Sequence, residues 1–160
     1  MSRVAIYPGS FDPFTFGHLD IIERGSKVFD KMVVAVAYNV SKNTTFSIEE
    51  RVEIIDEVFK DNDRVEVDSF KGLLVDYSRS KGTNIVLRGM RSVSDFEYEM
   101  QMAHANKSLD PGLETVFMVT SRKYSHISSS LIREIVSLGG SAGDLVPAVV
   151  EKKLKQKLQK

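Results

Sequence analysis

Short β-rich runs, most of them nearly continuously apolar, alternate along the chain with longer stretches in which apolar residues recur every three or four positions. The runs cover residues 4–7, 32–38, 65–70, 85–88 and 115–119. Most lack the strict alternation of a one-sided antiparallel strand and read as parallel strands, buried by helices on both faces. Between them the spacing predicts helices over 17–29, 48–59, 73–81 and 93–107. In the first of these, Leu19, Ile22, Val28 and Phe29 approximate an apolar face interrupted by Asp20, Glu23 and Arg24. Ser47-Ile48-Glu49-Glu50 has the form of a capping box opening the second, and Ser94-Asp95-Phe96-Glu97 has the same form in the fourth. A fifth helix over about 129–138 stops at Gly139-Gly140, and Pro147 opens a last one over about 147–159. Its terminal lysines either complement the helix dipole or grip an anion or a partner. Strands alternating with helices predict an α/β fold, a doubly wound parallel five-stranded sheet forming one domain over 1–160.

Composition narrows the chemistry. With 160 residues, 42% hydrophobic and 28% charged, the chain has the length and make-up of one globular domain. It has no cysteine, which excludes disulfides, thiolate nucleophiles, zinc–cysteine sites and iron–sulfur clusters. The 22 Lys and Arg balance the 22 Asp and Glu, so no basic field points to nucleic acid or an anionic membrane. The longest apolar run, 32–38, falls far short of the roughly 20 residues a membrane span needs. The opening Met1-Ser2-Arg3 is followed by no signal-peptide core. A soluble, cytoplasmic protein is expected.

Ligands of open α/β sheets bind outside the carboxyl ends of the strands, which nominates three junctions. The first run leads into Pro8-Gly9-Ser10-Phe11-Asp12-Pro13-Phe14-Thr15-Phe16-Gly17-His18, and the fourth into Arg88-Gly89-Met90-Arg91. The fifth leads into Ser121-Arg122-Lys123-Tyr124-Ser125-His126-Ile127-Ser128-Ser129-Ser130. Glycine or hydroxyl residues stand there beside cationic or imidazole groups, and acidic residues are scarce. Helix-start amides, serine hydroxyls and guanidinium groups together make an anion site, so the constellation points to a phosphate compound without saying which. Neither GxxxxGK(S/T) nor GxGxxG occurs, which argues against a P-loop NTPase and a dinucleotide-dependent dehydrogenase.

His18 opens the first predicted helix beside Ser10, Thr15 and Gly17, where anions bind. Arg88 closes a strand and either meets an anion or pairs with Asp95, Glu97 or Glu99; Arg91 faces the same choice. Ser128, Ser129 and Ser130 exceed what one helix cap needs and favour phosphate contact. His104 reads as a packing or surface residue, and His126 as a backbone contributor to a binding loop. No histidine and carboxylate set has metal-ligand spacing, and a hydrated Mg²⁺ held mainly by substrate phosphates needs none.

Gly9-Ser10-Phe11-Asp12-Pro13 followed by Thr15-Phe16-Gly17-His18 resembles the first signature of the nucleotidyltransferase superfamily. Ile127-Ser128-Ser129-Ser130-Leu131-Ile132-Arg133 resembles its second, the ISSSxxR box. Arg88-Gly89-Met90-Arg91 through Asp95-Phe96-Glu97-Tyr98-Glu99 is similar to one branch, the bacterial pantetheine-phosphate adenylyltransferases, over nearly the whole chain. The resemblance implies a Rossmann-like nucleotidyltransferase fold and a Mg²⁺-dependent reaction. ATP and 4′-phosphopantetheine give dephospho-coenzyme A and pyrophosphate, the penultimate step of coenzyme A synthesis.

By resemblance, His18 is catalytic, stabilising the transition state. Ser10, Phe11, His18, Gly89, Met90, Arg91, Glu99, Tyr124, Ser125, His126, Ile127, Ser128, Ser129 and Ser130 contact ATP. Ser10, Lys42, Leu74 and Arg88 take the acceptor-binding positions. The branch assembles as homohexamers and is inhibited by coenzyme A. Two positions depart from the superfamily pattern. Thr15 stands for the first of two signature histidines, as is usual in this branch, and Ser10 stands where many relatives carry threonine. The rival readings are another superfamily member, with nicotinate mononucleotide or glycerol 3-phosphate as acceptor, and a non-catalytic nucleotide-binding module.

Overall fold

The computed structural model describes residues 1–39 and 43–159. In chain order the elements are β1 (Val4–Gly9), α1 (Phe16–Gly25), β2 (Lys31–Ala37), α2 (Ile48–Phe59), β3 (Val65–Phe70) and α3 (Leu74–Ser80). They continue with β4 (Ile85–Met90), α4 (Val93–Leu109), β5 (Glu114–Val119), a 3₁₀ turn (Arg122–Tyr124), α5 (Ser129–Ser137) and α6 (Ala148–Leu158). All strand pairs are parallel, in the order β3-β2-β1-β4-β5. The doubly wound α/β sheet expected from the alternating pattern is therefore present.

Burial explains which strands read clearly. Central β1 and β2 are buried almost throughout, whereas edge strand β3 is half-buried and carries Glu66 and Asp68. One sheet face presents Ala5, Tyr7, Met32, Val34, Val36 and Leu87 to the large core, which Ile21, Ile55, Ile132 and Leu154 complete from α1, α2, α5 and α6. The other face, with Ile6, Val33 and Ala35, is covered by Leu74 and Tyr77 of α3.

Besides shifts of one or two residues at several element ends, two differences from the pattern-based expectation have a specific cause. The first helix ends at Gly25, not near Phe29, and Val28 lies exposed. A Cβ at Gly25 would sit 2.9 Å from the Leu87 side chain, so glycine lets the helix end lie this close to the sheet without displacing Leu87 or Met32. The cap of α4 is Ser92, whose side chain accepts from the Asp95 N–H, and Ser94 lies inside the helix. The capping box at Ser47 and Glu50 forms as read.

Strands β1 and β2 pair at six positions, but β1 and β4 only where Ile6 faces Val86. Pro8 has no N–H to continue that ladder. The sheet consequently opens between β1 and β4 at its carboxyl edge, and at this junction the chain direction of winding reverses. A doubly wound sheet places its ligand crevice there. Among the described residues no helix is long and apolar enough to cross a membrane.

Candidate active site

A cavity of about 660 Å³ fills this crevice. Its walls include Ser10, Phe11, His18, Arg88, Gly89, Arg91, Glu99, Ile127, Ser128, Ser129 and Ser130, so most residues nominated from sequence converge. The walls do not include Met90, Leu74, Tyr124, Ser125 or His126. Leu74 packs beneath the carboxyl edge against the smaller core, Tyr124 packs its ring on Phe16, and His126 is exposed. Lys42 lies outside the described residues. The cavity also draws in Tyr7, Asn43, Thr44 and Thr120, to which sequence reading gave no role, together with Asp12 and Arg133, quoted there only as motif positions, and Asp95, weighed there only as an ion-pair partner.

Two helix starts converge on the cavity. Thr15 caps α1, its hydroxyl accepting from His18 N–H at 3.3 Å, while His18 Nδ1 accepts the Thr15 N–H at 3.0 Å. This is a capping box with histidine in the position usually held by glutamate or glutamine. Ser128 caps α5 by accepting from Leu131 N–H at 3.2 Å. The Phe16 N–H goes to the Leu145 carbonyl at 2.9 Å, and the amides left over, Gly17 on α1 and Ser129 and Ser130 on α5, favour an anion together with the helix dipoles. Ser129 donates its hydroxyl to the Pro13 carbonyl at 2.9 Å, joining the two helix-start loops.

The capping box also fixes the chemistry of His18. Because Nδ1 accepts, the neutral ring carries its proton on Nε2, and that N–H is what it can offer a ligand. The ring is enclosed by Tyr7, Phe11 and Phe14, with the Phe11 centroid 4.9 Å away. Burial, then the positive charges of Arg91 and Arg88, lower its pKa from 6.5 to about 3. His18 is therefore a neutral donor and not a base.

An unfolded histidine titrates near 6.5, so as pH falls below that value the unfolded chain takes up a proton that folded His18 refuses. Stability contributed by neutral His18 is complete above pH 6.5 and is lost on acidification toward about 3. Glutamine keeps a capping acceptor without titrating. Denaturant titrations of the two proteins should show the native chain losing on the order of 2 to 3 kcal/mol more than His18→Gln between pH 7 and 4. Parallel pH curves would refute a neutral His18.

Acidic groups, expected to be scarce, line the cavity, and each is matched to an arginine. Arg88 donates Nε and Nη2 to Glu99 at 2.7 and 2.6 Å, and Nη1 to the Pro8 carbonyl at 2.5 Å. Burial opposes charge on Arg88, but the Glu99 carboxylate outweighs it and holds the pKa above the ordinary arginine value. Of the rivals weighed for Arg88, Glu99 is thus the ion-pair partner. Arg91 pairs with Asp95 at 3.4 Å and donates Nη1 to the Ile127 carbonyl at 2.6 Å, tying the β4–α4 turn to the α5 loop. Arg133 donates to the Asp12 carbonyl at 2.5 Å and lies 4.0 Å from its carboxylate. These contacts fix the three guanidiniums in the cavity wall, each with further N–H groups to offer.

A parallel sheet with an anion-binding crevice, a donor histidine and three braced arginines defines a nucleotide-handling class. Residues 6–135 match the cytidylyltransferase-like family model, and the chain belongs to that family of nucleotidyltransferases. A phosphopantetheine adenylyltransferase of Clostridium novyi is 56% identical over 158 residues, 99% of this chain and 98% of the relative. Phosphopantetheine adenylyltransferases of Geotalea daltonii and Caldanaerobacter subterraneus subsp. tengcongensis are each 53% identical over 158 residues, 99% of this chain and 98% and 99% of theirs. Within the nucleotidyltransferases, the chain belongs to the phosphopantetheine adenylyltransferase family.

Proposed function

We propose that this chain transfers the adenylyl group of ATP to 4′-phosphopantetheine, giving dephospho-coenzyme A and pyrophosphate. The reading rests on one observation above others. The α1 and α5 starts and three paired arginines face a single cavity at the sheet's switch point, in a chain more than half identical to enzymes of that name.

The acceptor's phosphate oxygen bonds to the α-phosphorus as the bond to the pyrophosphate oxygen breaks in line. A phosphate monoester, with a second pKa near 6, is already largely ionised at neutral pH, so no general base is needed. Positioning and charge stabilisation remain. His18 would donate Nε2–H to the α-phosphate oxygens. Arg91, the Ser128–Ser130 helix start and the backbone of Ser10, Phe11, Gly89 and Met90 would hold the nucleotide's phosphates and sugar. Tyr124, Ser125, His126 and Ile127 would follow its base, and Glu99 would serve ATP by holding Arg88. The acceptor would take Ser10, Lys42, Leu74 and Arg88. After its bonds to Glu99 and Pro8, Arg88 keeps one N–H on each terminal nitrogen, a fork suited to phosphate.

Among the described residues, no cluster of three or more histidine or carboxylate groups stands where it could hold a metal ion. The cavity carboxylates Asp12, Asp95 and Glu99 are committed to backbone amides or arginines. The residues fit Mg²⁺ carried on the nucleotide's own phosphates, where it supplies charge neutralisation.

Residues 1–160 are read as one nucleotidyltransferase domain, working in the cytoplasm on small molecules, with no nucleic acid or membrane partner. Assembly as a homohexamer is carried over from the resemblance alone; exposed Val93, Phe96, Tyr98 and Met102 on α4 and Val116 and Val119 on edge strand β5 support self-association without fixing the number of subunits. Inhibition by coenzyme A would act at the same cavity, since it shares the pantetheine and adenylyl groups.

The deciding experiment is pyrophosphate release from Mg·ATP with 4′-phosphopantetheine, nicotinate mononucleotide or glycerol 3-phosphate as acceptor. Release with 4′-phosphopantetheine alone, with dephospho-coenzyme A as product, is expected. Silence with that acceptor, from folded protein that binds ATP, would overturn the substrate assignment.

A further inference from the structure

Arg51 of α2 is only 3% exposed, yet among the described residues it forms no ion pair. Its Nη1 donates to the Ser10 carbonyl at 2.7 Å and its Nε to the Ser47 carbonyl at 3.2 Å. A guanidinium sequestered with carbonyls as its hydrogen-bond acceptors is costly to bury, and burial lowers its pKa against the opposing charges of Asp12 and Glu49. What arginine adds at this position is direction.

The Ser10 carbonyl belongs to the peptide that enters Phe11, and Phe11 has φ +51°, the one non-glycine residue in the left-handed region among those described. Such a conformation persists where the surroundings over-determine it. In a planar trans peptide the C=O and N–H point in opposite directions. With the carbonyl drawn toward Arg51, the Phe11 N–H points away from Arg51, and Ser10 and Phe11 line the cavity whereas Arg51 does not. The Asp12 carboxylate supports the same loop, accepting the N–H groups of Thr45 and Phe46 at 2.8 and 3.0 Å. The 10–12 and 45–47 segments are thereby joined at both ends, with Arg51 between them.

We propose that Arg51 is a positioning residue: by holding the Ser10 carbonyl it fixes the Ser10–Phe11 peptide with its N–H toward the nucleotide's phosphates. This rests on the adenylyl-transfer reading above.

The test compares Arg51→Met, which keeps the stem and loses both donors, with Arg51→Lys and with Ile55→Val as a packing control on the same helix. Pyrophosphate release gives kcat and the KM for ATP, and amide hydrogen exchange follows peptides spanning 8–19 and, for reference, 31–37. In Arg51→Met, kcat should fall about tenfold or more, beyond any change in KM, as expected for a slightly misplaced donor. Exchange should quicken in 8–19 and stay unchanged in 31–37. Arg51→Lys, reaching one carbonyl, should recover part of both, and it carries the comparison if Arg51→Met does not fold. A kcat loss no greater than that of Ile55→Val, or unchanged exchange in 8–19, would overturn the proposal. If the native protein releases no pyrophosphate, the adenylyl-transfer reading fails, and the exchange comparison still decides whether Arg51 sets this peptide.

Discussion

Replacing His18 by alanine is expected to lower kcat by about a hundredfold or more, while the KM for ATP changes by less than about threefold. The asymmetry follows from where the donor is spent. On the proposed reading, the α-phosphate oxygens of ground-state ATP would be one part of a polyanion held mostly through its β- and γ-phosphates. Charge on the transferring group is redistributed only as the acceptor oxygen attacks, and an N–H aimed at those oxygens is felt most strongly then. His18 is suited to this because its tautomer is set by Thr15 and its ring is enclosed by Tyr7, Phe11 and Phe14. A neutral donor does not change its protonation state around neutral pH. The acid limb of the acceptor's kcat/KM should accordingly follow the acceptor phosphate, near pH 6. His18→Gln, which offers an amide N–H and a capping acceptor, should fall between alanine and the native enzyme. Equal losses in kcat and ATP affinity would remove His18 from the transition state and leave it a ground-state ligand.

Much of this arrangement is visible in the sequence, for reasons that differ residue by residue. Helix α2 is bounded as read because its start carries both halves of a capping box, and β3 because Asn62-Asp63-Arg64 and Lys71-Gly72 bracket its Val65, Val67 and Phe70. Ser92 and Ser94 each begin a serine–x–x–acid frame, and only the path of the chain out of β4 decides that Ser92 is the cap. The three strand-end loops name the cavity because α/β topology brings carboxyl ends together whatever the loops contain. The partners that hold their side chains are another matter. Glu99 meets Arg88 from the second turn of a helix, and Arg51 meets Ser10 across 41 residues. Such pairings depend on how helices lie on the sheet, which local pattern does not encode. Histidine closing its own capping box was hidden for a different reason: the usual motif has glutamate or glutamine at that place, so His18 is legible only as a ligand contact.

Removing Arg88 should produce the largest loss of stability and a second large loss of activity, and the two should be separable. Arg88→Met leaves Glu99, 7% exposed, without its cation. Orphaning a buried carboxylate is strongly destabilising, and with the Arg88 side chain 29% exposed and the Glu99 side chain 9%, about 2 to 4 kcal/mol is expected. Because an orphaned carboxyl can escape by taking up a proton, the deficit relative to the native protein should shrink at pH 5. In the double variant Arg88→Met with Glu99→Gln, no charge is stranded, and most of the lost stability should return, a non-additivity diagnostic of a coupled pair. Activity should not return with it. The fork toward the acceptor phosphate is still missing, so kcat/KM for 4′-phosphopantetheine should remain down by about a hundredfold or more in both variants. Denaturant melts at two pH values and acceptor titrations on the single and double variants read both effects. A double variant as unstable as Arg88→Met would mean that lost packing, not a stranded charge, causes the deficit. Near-native kcat/KM for the acceptor in the double variant would move the acceptor phosphate away from Arg88 and make the Arg88–Glu99 pair a brace across the gap between β1 and β4.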